Sequence, residues 1–149
     1  MASVITGDIT SIKNGIIVHQ VNCQNKIGRG LSGQIIRLYP LVRQAYHNAF
    51  SRKTDPFGHI QYVHITRDLI VANLFSQRDC GNPKRTGKIY TDIDALVEGL
   101  TTICTGYPNE KIYIPYNIGC GLGGESWDRV YDRIKDLNLI IVKLPDRQD

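Results

Sequence analysis

Short apolar runs alternate along the chain with segments in which apolar residues recur every three or four positions. The apolar runs predict strands over residues 4–6, 16–21, 59–65, 69–75, 111–115 and 139–142. The helical spacing predicts helices that begin near Leu31, Val42, Ile93 and Trp127, with Pro40 separating the first two. Strands that alternate with helices predict an α/β fold, in which helices cover both faces of a mixed, mostly parallel sheet of about six strands.

Several local signals refine this outline. Residues 66–68 are expected to turn a hairpin between the third and fourth strands. Thr91 or Asp92 is the expected N-cap of the third helix. The polar face of the last helix is predicted to carry the pair Glu125 and Arg129, four residues apart.

Two glycine-rich turns each follow a predicted strand and precede a predicted helix. The first ends in Gly28-Arg29-Gly30, and the second is Ile118-Gly-Cys-Gly-Leu-Gly-Gly124. Free backbone N–H groups and the helix dipole favour anions at a helix start. Two such turns therefore predict a ligand held at two phosphates. Neither turn matches the dinucleotide or P-loop fingerprint, which argues against a dehydrogenase or a nucleoside triphosphatase.

Composition limits the class of protein. A chain of 149 residues with 42% hydrophobic content is expected to form one domain over residues 1–149. No apolar run approaches the roughly 18 residues of a membrane span, so we expect a cytoplasmic protein that does not bind membranes. The net charge of +4 suits an anionic ligand, but it is weak evidence for nucleic acid, which we do not expect as a partner.

The four cysteines show no CxxC pair, so we expect reduced thiols and neither a metal nor another cofactor. Cys23 and Cys120 lie in the glycine-rich turns, where they are either nucleophiles or, as we favour, small side chains beside a closely bound ligand. A polar segment with basic residues is either a solvated loop or a substrate contact; it contains Arg78, Lys84, Arg85 and Lys88.

Three segments together resemble the macro domain family, whose members bind ADP-ribose. They are Gly7-Asp8-Ile9-Thr10, the stretch from His19 to Gly30, and Pro115 to Gly124 followed by Trp127. The resemblance covers nearly the whole chain. It is strongest to the branch that contains yeast-type ADP-ribose-1″-phosphate phosphatases and the terminal ADP-ribose glycohydrolase. It implies a three-layer α/β/α macro domain.

The resemblance also implies roles for individual residues. Asp8 and Ile9 would hold the adenine, and Asn22 would face the distal ribose as a catalytic residue. The residues around the diphosphate would be Gly28, Arg29, Gly30, Leu31, Asn117, Gly119, Cys120, Gly121, Leu122 and Gly123. His19 resembles a histidine of the phosphatase, so it would donate a proton or position water. The alternative is a buried, hydrogen-bonded histidine with a structural role.

Three departures from the family pattern bear on the reaction. Ser32 stands where deacylating members carry an aspartate, and Gly123 stands where the glycohydrolase has its catalytic aspartate. The lysine of that enzyme aligns near Gln77. The function we expect is therefore binding of ADP-ribose and hydrolysis of ADP-ribose 1″-phosphate. The alternatives are an ADP-ribosyl or O-acetyl-ADP-ribose hydrolase and a binding module without turnover.

Overall fold

Six strands form one sheet in the computed structural model, which describes residues 1–146. The strands are β1 Ser3–Thr6, β2 Gly15–Asn22, β3 Ile60–His64, β4 Leu69–Gln77, β5 Ile112–Pro115 and β6 Ile140–Lys143. Their order is β1-β6-β5-β2-β4-β3, and every neighbouring pair is parallel except β3 with β4. The predicted mixed, mostly parallel sheet is confirmed, including the hairpin.

The helices connect these strands on both faces of the sheet. They are α1 Gly30–Leu38, α2 Pro40–Asn48, α3 Pro83–Thr86, α4 Ile93–Gly106 and α5 Trp127–Ile134. Pro40 is the first residue of α2, where its missing N–H loses no helical hydrogen bond. Asp92, one of the two predicted N-caps, caps α4 by accepting a hydrogen bond from the Ala95 N–H at 2.9 Å. Within residues 1–146, no helix is long and apolar enough to cross a membrane.

Each face of the sheet has its own apolar layer. Ile17 and Val71 pack with side chains of α1 and α2 on one face. Ile16 and Val18 pack with α4 and α5 on the other face. Burial on both faces explains why the central strands are continuous apolar runs rather than alternating ones. The three-layer α/β/α architecture expected from the sequence is confirmed.

The connections leave the two central strands in opposite directions. β2 and β5 are neighbours, with Ile16 paired to Ile112. From β2 the chain runs through α1 and α2 to β3 and β4 on one side, and from β5 it runs through α5 to β6 on the other. Such a switch in direction leaves a crevice at the carboxyl ends of the two strands.

Glu125 differs from its predicted place on the exposed face of the last helix. The residue precedes α5 and is buried, and its carboxylate accepts a hydrogen bond from the Ser126 N–H at 2.8 Å. Its predicted pair with Arg129 forms at 3.3 Å. Because the helix begins only at Trp127, Glu125 belongs to the turn that holds the helix start against the core.

Candidate functional site

A cavity of about 630 Å³ lies at the carboxyl ends of β2 and β5. Two segments contribute most of its lining: the first loop, residues 23–29, with the start of α1, and the second loop, residues 116–124. The predicted site residues in its wall are Asn22, Gly28, Arg29, Gly30, Leu31, Asn117, Gly119, Gly121, Leu122 and Gly123. The fold therefore brings both glycine-rich turns to one cavity.

Four other predicted residues do not line this cavity: Asp8, Ile9, His19 and Cys120. Asp8 is exposed just after β1, and its carboxylate accepts hydrogen bonds from the Thr10 N–H and hydroxyl. Those bonds hold the pKa of the Asp8 carboxyl below its usual value. Ile9 is buried in the core. Asp8 follows the carboxyl end of β1, at the same edge of the sheet as the cavity.

The sequence prediction missed several residues of the wall. Gln20 lies near the carboxyl end of β2, and its side chain bonds to Ser76 and Thr91. A polar side chain near the end of an otherwise apolar run is the signal that could have identified Gln20. The other wall residues that were not predicted are Lys26, Ile27, Ser32, Gln77, Cys80, Gly81, Pro115, Tyr116 and Ile118.

Asn22 holds the first loop in shape. Its amide donates to the Lys26 carbonyl at 2.8 Å, and its oxygen accepts from the Gln24 N–H at 2.9 Å and the Tyr46 hydroxyl at 2.7 Å. Burial raises the pKa of Tyr46 to about 12, so its phenol stays a hydrogen-bond donor. Most of the hydrogen-bonding capacity of Asn22 is therefore used within the protein.

The two loops approach each other at the start of α1. Gly33 packs directly on the Gly28 carbonyl, so a side chain at this position would collide with the loop backbone. Gly30 has a φ of 57°, and a β-carbon built there would lie 3.6 Å from Cδ1 of Leu122 in the second loop. Leu122 thus brings the second loop beside the first at Gly30.

The second loop is held by side chains of the sheet. The Thr91 hydroxyl donates to the Gly119 carbonyl at 2.7 Å and accepts from the Gln20 amide at 2.8 Å. The Ser76 hydroxyl donates to the Gln20 oxygen at 2.6 Å. Gly119 has a φ of 76°, which favours glycine. This network fixes the loop backbone without occupying the cavity.

Gly123 has no space for a side chain. A β-carbon there would collide with the Thr91 hydroxyl and the Gly119 carbonyl. The backbone N–H groups of Tyr90 and Thr91 both donate to the Gly123 carbonyl, at 2.7 and 3.1 Å. A catalytic carboxylate at position 123 would therefore require a different loop conformation.

The charge of the cavity wall is positive. Lys26 and Arg29 line it, and neither forms an ion pair within residues 1–146. Among the described residues of the wall there is no aspartate, glutamate or histidine. Two cations beside a helix start favour an anionic ligand.

His19 lies behind the cavity wall and is only 1% exposed. Its Nδ1 is 2.9 Å from the Ser32 hydroxyl, and its Nε2 is hydrogen-bonded to Oδ1 of Asn73. Burial lowers the pKa of His19 to about 4, so the ring is neutral near pH 7. This geometry is that of a buried, hydrogen-bonded histidine that touches the cavity only through Ser32.

The cysteines of the glycine-rich turns are protonated near neutral pH. Burial raises the pKa of Cys23 and that of Cys120 to about 11. A protonated thiol is a poor nucleophile, which favours the interpretation of these residues as small side chains. Within residues 1–146, no cluster of three His, Cys, Asp or Glu residues could hold a metal ion.

No protein-family model matches the chain, and no curated protein sequence matches it. Several solved structures do match the chain. A protein of unknown function from Bacteroides thetaiotaomicron superposes with a TM-score of 0.82 at 24% identity, over 97% of this chain and 98% of that one. The macrodomain of Mycobacterium tuberculosis DarG gives 0.74 at 23% identity, over 99% of both chains.

Thermosipho africanus DarTG, solved in complex with ADP-ribose, gives a TM-score of 0.72 at 19% identity, over 99% of this chain and 43% of that one. These similarities extend over nearly the whole chain. The chain therefore has the macrodomain fold.

Proposed function

We propose that the cavity binds ADP-ribose. One observation carries the proposal: both glycine-rich loops border a single cavity that is also lined by Lys26 and Arg29, which form no ion pair within residues 1–146. A volume of about 630 Å³ lies within the usual range for small-molecule sites. The structural neighbour from Thermosipho africanus holds ADP-ribose.

The chemistry of the wall suits the parts of this ligand. The start of α1 and the glycines of the second loop offer backbone amides and close approach to a diphosphate. Lys26 and Arg29 add charge complementarity. At the same edge of the sheet, Asp8 offers a carboxylate that can accept a hydrogen bond from the adenine amino group. We retain Asp8 and Ile9 as the proposed adenine contacts.

The test is calorimetric titration with ADP-ribose, with AMP and ribose 5-phosphate as partial ligands. Gly121 lies in the wall, and a β-carbon there meets no atom within 4 Å, so Gly121→Ala leaves the unliganded fold intact. If the diphosphate lies against this backbone, the added methyl group costs about 1–3 kcal/mol, roughly five- to 150-fold in Kd. Gly106→Ala is the matched control, since Gly106 is equally open and lies at the end of α4.

Binding of ADP-ribose by the wild type and the Gly106 variant, with weaker binding by the Gly121 variant, supports the proposal. A wild-type protein that does not bind ADP-ribose contradicts it. Equal affinity for ribose 5-phosphate and ADP-ribose would mean that the adenosine part makes no contact.

A second candidate function is hydrolysis of ADP-ribose 1″-phosphate, as in the phosphatase branch that the sequence resembles. The contact of 2.9 Å between Ser32 in the wall and His19 behind it favours this candidate, because it links a ring nitrogen to the cavity. With no carboxylate or histidine among the described wall residues, water would be oriented by Ser32 and the Asn22 amide.

Phosphate release from ADP-ribose 1″-phosphate separates this candidate from simple binding. A wild-type protein that binds the compound without releasing phosphate excludes the reaction. Comparable rates for wild type and His19→Ala would remove His19 from the mechanism. Product assays with O-acetyl-ADP-ribose and an ADP-ribosylated protein test the remaining hydrolase alternatives.

A further inference from the structure

A chain of hydrogen bonds runs from helix α2 through the sheet to the cavity. It begins at the Ala45 carbonyl, which accepts from the Gln61 amide at 2.7 Å. The Gln61 oxygen accepts from the Asn73 amide at 3.0 Å. The Asn73 oxygen is hydrogen-bonded to Nε2 of His19, and Nδ1 of His19 is hydrogen-bonded to the Ser32 hydroxyl in the cavity wall. His19 and Asn73 are fully or almost fully buried, so no solvent competes for the bond between them.

The first link fixes the direction of every other link. A backbone carbonyl can only accept, so Gln61 must turn its NH₂ group to Ala45 and its oxygen to Asn73. Asn73 must then donate to Gln61 and present its own oxygen to His19. The contact of the Asn73 amide with the Val42 carbonyl at 3.5 Å agrees with this orientation.

The same logic sets the tautomer of His19. An Asn73 oxygen facing Nε2 requires the proton on Nε2, and the neutral ring then has a bare Nδ1. Nδ1 accepts the Ser32 hydroxyl proton at 2.9 Å. Among the described residues, the other hydrogen-bond acceptor of that hydroxyl is the Gln20 carbonyl at 3.3 Å, so either arrangement uses the proton inside the protein.

We propose that Ser32 is an acceptor-only specificity residue, which presents its lone pairs to the cavity and binds a hydroxyl group of the ligand rather than an anionic oxygen. The proposal rests on ADP-ribose binding as proposed above. Anionic phosphate oxygens are repelled by those lone pairs, whereas a ribose hydroxyl can donate to them. Ser32 therefore marks the end of the cavity that holds the distal ribose, and the cations and backbone amides hold the phosphates.

The first test compares ADP-ribose with ADP, which lacks the distal ribose. Ser32→Ala removes the acceptor and is expected to weaken ADP-ribose binding about two- to tenfold, with ADP binding unchanged. Ser32→Thr retains the hydroxyl and is expected to bind both ligands like the wild type. Ser3→Ala, on exposed strand β1, is the matched control.

These outcomes separate the two proposals. Equal ADP-ribose affinity of Ser32→Ala and wild type overturns the role of Ser32 while ADP-ribose binding stands. Equal weakening for ADP and ADP-ribose also overturns it, because Ser32 would then act on a part that both ligands share rather than on the distal ribose. A wild-type protein that binds neither ligand overturns the proposed function and this inference together.

A second test reverses the direction of the hydrogen bond between His19 and Ser32. Asn73→Asp places a carboxylate against Nε2, which favours the protonated ring, whose Nδ1–H then donates to Ser32. The Ser32 hydroxyl is thereby freed to point elsewhere. The ring's polar partners, Ser32 and Asn73, do not titrate in the wild type, so its ADP-ribose affinity is expected to stay flat between about pH 5.5 and 8. The variant is expected to bind more weakly as the pH falls, and a flat profile in a folded variant would overturn the inference.

Discussion

At the scale of single residues, Gly123 shows how closely the second loop packs on the sheet. A methyl group there would collide with Thr91 and the Gly119 carbonyl, and the backbone on both sides would have to move. Gly123→Ala is expected to lower the free energy of unfolding by about 1–3 kcal/mol, measured by urea denaturation. Gly121→Ala, two residues away in open space, should leave it nearly unchanged. Equal losses in both variants would contradict the packing argument.

His19 makes the stability of the protein depend on pH. Its pKa is 6.5 when unfolded and about 4 when folded, so the unfolded chain binds the additional proton between these values. Its contribution is complete above pH 6.5 and is lost as the pH falls toward 4. The expected loss at the acid end is about 3 kcal/mol, measured as the difference in unfolding free energy between neutral and acid pH.

Two variants and one spectrum isolate this contribution from that of the carboxylates. His19→Gln should flatten the pH dependence by that amount, whereas His64→Gln, on the exposed end of β3, should not. If the variant does not fold, the NMR shift of the His19 ring in the wild type gives the answer directly. A ring that titrates near 6.5 would contradict the assigned burial.

Glycines that let the backbone approach a ligand can be identified from the sequence. Side chains whose role depends on hydrogen-bond partners distant in sequence are harder to identify. The glycines of both turns could be identified because a strand, glycines and a helix start are adjacent in the chain. The partners of His19 could not, because Asn73 is 54 positions away and becomes its neighbour only when β2 pairs with β4. Both faces of β2 are buried, so periodicity did not show on which face His19 lies.

At the scale of elements, Thr91 couples the start of α4 to the second loop. Thr91→Val keeps the shape but leaves the Gly119 carbonyl and one Gln20 bond without the hydroxyl. The loop is expected to lose about 1–3 kcal/mol of local stability, seen as faster amide hydrogen exchange across residues 116–124. Thr101→Val, on the exposed surface of α4, is the control. Unchanged exchange in the Thr91 variant would mean that the sheet does not hold the loop.

The elements themselves were predictable wherever apolar periodicity is strong. All six strands and the four longer helices match the pattern, because each buries an apolar stripe or run. Helix α3 was not predicted, since Pro83–Thr86 has no apolar position and depends on the Asn82 cap, whose oxygen accepts from the Lys84 N–H. Strand order was likewise beyond the sequence, because it depends on pairing between distant segments.

At the scale of the whole molecule, the net charge is only +4, so we expect the cations beside the cavity to attract the ligand more than the overall charge does. Arg29→Ala is expected to weaken ADP-ribose binding by about 1 kcal/mol, since an exposed charge gains less than a buried one. Arg67→Ala, in the turn before β4 and therefore at the opposite edge of the sheet, removes the same charge and should have little effect. Titration at low and high salt checks this, and equal effects would mean that overall charge alone attracts the ligand.

Ligand binding must also stabilise the fold, because the cavity exists only when β2, β5 and both loops are assembled. At a free ligand concentration of 100 times Kd the gain is about 2.7 kcal/mol, which for a chain of this size raises Tm by about 5–11 °C. A Gly121→Ala protein with tenfold weaker binding should retain about half of that gain at the same concentration. Thermal unfolding with and without ADP-ribose measures both. Because the methyl group at 121 leaves the unliganded fold intact, equal Tm values without ligand and unequal values with it assign the difference to the cavity. An equal rise in both proteins would place the ligand elsewhere.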